Sequence, residues 1–103
     1  MNELDPEQRK LVTLAMAARV RTGADQAAAL RDTDGRCYAG VTVALPSLRL
    51  SALQVAVAMA VSSGALGVEA AVVLGDESAD EAGAAAVREL APSAVIQYIA
   101  SSR

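Results

Sequence analysis

Apolar and polar positions near the start of the chain repeat with a helical period. Leu11, Leu14, Ala15 and Ala18 fall on one face, while Arg9, Lys10, Arg19 and Arg21 fall on the polar side. Asp5 is a good N-cap, Pro6 suits the first helical position, Glu7 favours the positive end of the helix, and Gly23 supplies a stop. The pattern predicts a helix over 6–22. Two short apolar runs follow, 26–31 and 36–43, separated by Asp32-Thr33-Asp34-Gly35. Asp-Gly between two such runs is a strong hairpin signal, and it outweighs the helix preference of Ala27, Ala28 and Ala29. Residues 46–50, opening with Pro46, read as a loop into a second helix over 51–63, with Gly64 ending it.

That second helix is apolar nearly all round, since between Ala52 and Val61 only Gln54 is polar. Such a helix must be buried on more than one side, and a chain this small cannot easily surround it. One face is therefore expected to meet another subunit, with Ala52, Val55, Ala56, Met59 and Ala60 as the interface. Residues 68–75 form a continuous apolar run and predict a strand covered on both faces. After a polar loop, Ser78-x-x-Glu81 has the form of a capping box and Asp80 is an alternative cap. A third helix then runs to about Leu90, Pro92 stops it, and 94–100 form a last strand. The last two strands are joined through a helix and so are expected to be parallel. The whole predicts an α/β fold in three layers, a mixed sheet of about four strands with helices on both faces, as a single domain over 1–103.

Composition narrows the chemistry. There is no histidine and one cysteine, so Ser-His-Asp and Cys-His catalysis are excluded, as is a zinc site built from Cys and His. A disulfide within the chain is excluded too, and the usage fits a reducing, cytoplasmic compartment. A net charge of −3 and two aromatic residues give neither attraction to phosphate backbones nor a platform for stacking bases, so no nucleic-acid partner is expected. The acidic, polar N-terminus does not read as a signal peptide, and no stretch reads as a membrane span. Twenty-four alanines, with eight arginines to one lysine, hint at a GC-rich bacterial genome. Cys37 reads as a small core residue of a strand. Asp32-x-Asp34-Gly35 lacks the remaining ligands of a calcium loop and reads as a turn. Asp76, Glu77, Asp80 and Glu81 read as a solvated loop with charges at a helix N-terminus. Arg49, just ahead of the second helix, is a candidate anion-binding residue with that helix's free amides.

Two stretches carry a family likeness. Asp34-Gly35-Arg36-x-Tyr38-x-Gly40-Val41-x-Val43, then Leu50-Ser51-Ala52-Leu53-x-x-Ala56-Val57-x-x-Ala60-Val61-Ser62-x-Gly64, resemble the small cytidine deaminases. That family reads D-G-R-x-Y-x-G-x-N-x-E-N, then L-C-A-E-R-x-A-x-x-x-A-V-x-x-G, then a strand and a P-C-G-x-C-R loop opening a helix. The resemblance spans most of the chain and implies the deaminase fold, with helices packed at the centre of dimers or tetramers. In the family, a zinc held by three Cys or His ligands turns water into hydroxide while a glutamate shuttles the proton. Here the C-A-E triplet is Ser51-Ala52-Leu53, and Asp80 and Gly83 stand where the two later thiolates would be. The substrate-gripping Asn and Glu fall on Thr42 and Ala44.

Thr42, Ala44, Ser51, Leu53, Asp80 and Gly83 are accordingly the expected positions of a vestigial pocket, with no catalytic residue, no metal and no cofactor. The expected function is a non-catalytic, cytidine-deaminase-like protein, structural or regulatory, acting as a homo-oligomer or through a protein partner. The alternative is an enzyme or a nucleoside- or anion-binding module working in a remodelled, zinc-free pocket through Ser51, Thr42, Arg49 or Asp80.

Overall fold

The structure is a computed structural model that describes residues 5–75 and 80–100. The elements are α1 (Pro6–Thr22), β1 (Gln26–Asp32), β2 (Cys37–Val41), β3 (Val43–Leu45), β4 (Leu48–Leu50), α2 (Ala52–Ser62), β5 (Val68–Gly75), α3 (Glu81–Leu90) and β6 (Val95–Ala100). The main sheet has the order β2-β1-β5-β6. β1 is antiparallel to both β2 and β5, and β5 is parallel to β6, as expected for strands joined through α3.

α1 begins where its sequence signals put it. The Asp5 carboxylate accepts from the Gln8 amide at 2.8 Å, and the Gln8 side chain accepts from the Asp5 amide at 3.1 Å. At the other end Gly23 takes a left-handed φ of 72° and donates to the Arg19 carbonyl. The hairpin turn is held by Asp32, which is buried: its Oδ1 accepts from the amides of Asp34 and Arg36, both at 2.9 Å. Asp32 thus serves its own turn, as an Asx-type cap of the hairpin. Cys37 lies at the surface rather than in the core. It is the first residue of β2, which is an edge strand of the sheet.

The sheet is covered on both faces. Leu11 and Ala15 of α1 pack on Ala27, Ala29, Val72 and Leu74, while α2 and α3 place Leu53, Ala56, Val57 and Val87 against Ala28, Leu30, Ala71 and Val73. β1 alternates its side chains between these two cores. Its alanines leave room for a helix to approach on either face, and this packing overrides their helix preference. α2 also lies close against β2, where a Cβ on Gly40 would come within 2.6 Å of Val55 Cγ1.

One further expectation needs correction. Residues 46–50 are not a simple loop: β3 and β4 form a second hairpin, with Val43 opposite Leu50 and Leu45 opposite Leu48 across a Pro46-Ser47 turn. Proline there closes a turn and does not interrupt a strand. Burial within the chain divides the α2 residues expected to meet another subunit. Ala52, Ala56 and Ala60 are fully buried inside the chain, because their small side chains let α2 settle on its own sheet. Val55 is half-buried above Gly40, and Met59 remains 42 % exposed. The outward face of α2 carries Ala58, Met59 and Val61.

Candidate functional site

The amino ends of α2 and α3 meet on one face of the sheet. Ser51 caps α2: its hydroxyl accepts from the Gln54 amide at 3.1 Å, and the Gln54 side chain accepts from the Ser51 amide at 2.9 Å. Asp80 caps α3, its Oδ1 accepting from the Gly83 amide at 2.8 Å. Ser78, the other candidate cap, and the loop acids Asp76 and Glu77 lie outside the described residues.

Asp80 does more than cap. Its second oxygen, Oδ2, accepts from the Leu53 amide in the first turn of α2 at 3.1 Å. One carboxylate, only 5 % exposed, therefore joins the amino ends of two helices. Both donors are first-turn amides without a partner inside their own helix, and both sit at the positive end of a helix dipole. Hydrogen bonds from such amides to an ionised carboxylate are among the stronger ones.

Gly83 and Leu53 complete the arrangement. A Cβ on Gly83 would overlap Leu53 Cβ and would come within 2.8 Å of Asp80 Oδ1. The lack of a side chain at 83 is what allows the first turn of α3 to press against α2. Leu53 itself is fully buried in the core formed by α2, α3 and the sheet.

Four of the six pocket positions, Ser51, Leu53, Asp80 and Gly83, are thus brought together at this junction. Thr42, between β2 and β3, and Ala44, on β3, are both exposed, and the hairpin sets β3 beside the strand that leads into Ser51. Arg49 is exposed on β4, paired across the hairpin with Ala44. Partial burial of the Cys37 thiol pushes its pKa up and disfavours the thiolate.

Do these residues fit a zinc ion? At the three positions where the resemblance sets the ligands, the residues offer a hydroxyl, a carboxylate and a glycine. The Ser51 hydroxyl accepts from a cap amide, and both Asp80 oxygens accept from helix amides. Gly83 has no side chain to offer, and Leu53, where the resemblance sets the proton-carrying glutamate, is aliphatic. Zinc sites use thiolate, imidazole and carboxylate groups in tetrahedral array, and this set does not fit one. Among the described residues no group of three His, Cys, Asp or Glu side chains gathers anywhere. The Asp80–Leu53 bond was not foreseeable from local pattern, although an aspartate three residues before a glycine does mark the cap.

Comparisons with known proteins agree with the architecture. A family model described as cytidine deaminase-like matches residues 4–102. No curated protein matches the chain. Among solved structures, cytidine deaminase from Burkholderia pseudomallei superposes with a TM-score of 0.76 at 24 % identity, over 91 % of this chain and 86 % of that one. A variant of cytidine deaminase from Mycobacterium tuberculosis gives a TM-score of 0.74 at 22 % identity, covering 91 % of this chain and 85 % of that one. Cytidine deaminase from Mycobacterium leprae gives 0.74 at 21 % identity, with 91 % and 87 % covered. At these identities the likeness establishes the fold. Among the described residues, no helix is long and apolar enough to cross a membrane.

Proposed function

The chain belongs to the cytidine deaminase-like family, and we propose that it is a non-catalytic member of it. One observation carries this reading. At the meeting point of α2 and α3 lie a fully buried leucine and a carboxylate engaged by two helix amides, the residues that the resemblance sets at the family's proton-shuttle and ligand positions. The leucine side chain has no polar atom to carry a proton, and one carboxylate beside a hydroxyl and a glycine does not make the ligand set that turns water into hydroxide.

On this reading the single domain over 1–103 serves as a structural, regulatory or partner-binding protein of the bacterial cytoplasm, with no cofactor and no nucleic-acid partner. Its association surface is the outward face of α2, where Met59 and Val61 are 42 % and 49 % exposed beside Ala58. That face supports a homo-oligomer, a dimer or tetramer. The purified chain is expected to release no ammonia from cytidine above a buffer control, and sustained release overturns the proposal. Light scattering is expected to give a mass above one chain, and a strict monomer removes the role given to α2.

The second reading, a nucleoside- or anion-binding module, draws its support from Arg49, exposed two residues ahead of the α2 cap. A thermal-shift panel of cytidine, nucleotides and inorganic phosphate tests it. A flat response rejects it.

A further inference from the structure

We propose that the Asp80 carboxylate is a metal-free clasp, joining the amino ends of α2 and α3 where the family's zinc ligands would join them and so holding the fold without a metal ion. In the pattern this chain resembles, one ligand opens the second helix and two lie in the loop that opens the third. A metal so placed ties those two helix starts together. Here the same two starts are tied by Asp80, whose oxygens reach the amides of Leu53 and Gly83, the former 27 residues away in sequence.

Three features fit a clasp better than an ordinary cap. The first is that both carboxylate oxygens are used, each by a different helix. A cap needs only one acceptor, and Asp5 on α1 shows that simpler arrangement. The second is electrostatic. Two positive helix ends held side by side repel each other unless an anion lies between them. A zinc ion bound by three thiolates carries one net negative charge, and so does a single carboxylate. The charge the junction requires is therefore preserved while the metal is dispensed with. The third is steric. Gly83 has no side chain to reciprocate as Gln8 and Gln54 do at the other two helix starts, and a Cβ there would overlap that of Leu53. The cap of α3 has been shaped around the neighbouring helix.

The clasp rests on the metal-free reading of the junction, but it fails separately from the non-catalytic proposal. Ammonia release from cytidine would overturn that proposal and leave the clasp standing. The clasp is tested on the full chain by thermal unfolding with zinc or with EDTA, and by amide hydrogen exchange at Leu53 and Gly83. The expected result is an identical Tm with zinc and with EDTA, with no zinc retained after gel filtration. Zinc retained in a 1:1 ratio, or a Tm lowered by EDTA, overturns the proposal.

Substitution supplies the second arm. Asp80→Ala strands two buried amides and is expected to lower Tm by about 10–20 °C. Asp80→Asn decides the matter if the alanine variant does not fold. Asparagine caps as well as aspartate, so a cap-only role predicts almost no change. A clasp predicts a Tm loss of about half that of alanine, with protection lost at Leu53 and retained at Gly83, because the amide NH2 now faces the Leu53 N–H. Unchanged Tm and unchanged exchange at Leu53 in Asp80→Asn overturn the clasp.

Discussion

Asp5 and Asp80 each accept from the amide three residues on at 2.8 Å, yet they solve different problems. At α1 the solution is local. The Gln8 side chain accepts in turn from the Asp5 amide, so the box closes within one turn of a single helix, with Asp5 exposed and Gln8 half-buried. At α3 the residue in the place of Gln8 is Gly83, which cannot return a bond. The second carboxylate oxygen goes instead to Leu53 on α2, and the whole is buried. The start of α2 belongs with the local type, since Ser51 and Gln54 close a reciprocal box. The contrast shows what a capping residue gains by burial. An exposed cap stabilises its own helix, whereas a buried one can fix how two helices meet, at the cost of demanding shape from its neighbours.

The largest test of that contrast removes the side chain enclosed at the buried junction. Leu53 is fully buried against the first turn of α3, so Leu53→Ala is expected to destabilise the chain by about 2–5 kcal/mol in denaturant titration. A loss comparable to that of an exposed leucine would mean that the junction is loosely packed, and the comparison with α1 would lose its force.

Gly83→Ala is the next largest. Alanine gains up to about 1 kcal/mol of helix propensity, but its Cβ would overlap Leu53. Overpacking of this kind costs about 1–3 kcal/mol, so net destabilisation is expected. The sharper form combines the two substitutions. In the Leu53→Ala background the obstructing side chain is shortened, and Gly83→Ala is expected to cost measurably less than it does alone. Equal costs in the two backgrounds would show that the glycine is needed for some reason other than the approach of α2.

What the sequence disclosed follows the same division between local and non-local causes. The bounds of α1 were legible because Asp5, Pro6, Glu7 and Gly23 all act within a turn of the helix end, although the return bond to Gln8 was not read. The run at 68–75 was legible because its apolar continuity records burial on both faces. Asp80 was legible as a cap, and as the residue in a ligand position, but its bond to Leu53 depends on how two helices pack. The hairpin of β3 and β4 was missed because three residues are too few to display alternation, and Pro46 reads as a breaker until its partner strand is known. The alanines at 52, 56 and 60 pointed to a second subunit on the premise that a small chain cannot enclose an apolar helix. Close approach on alanine-rich β1 and on Gly40 of β2 lets it enclose most of one.

The smallest effect lies at the exposed end of the comparison, and its smallness is the point. Asp5→Ala removes one hydrogen bond and one favourable charge at an open helix start, for an expected loss of about 1 kcal/mol. The released Gln8 amide can turn to water, so no buried donor is stranded. Asp5→Asn keeps an acceptor at the same position and is expected to leave the unfolding midpoint almost unchanged. Set beside Asp80→Asn, the same change of one atom is made at two caps with the same 2.8 Å bond. If the two asparagine variants shift the midpoint equally, burial adds nothing to the Asp80 cap and the division drawn between the two helix starts fails. A near-zero shift at 5 with a clear loss at 80 isolates the contribution of the second oxygen, because the capping bond itself survives in both.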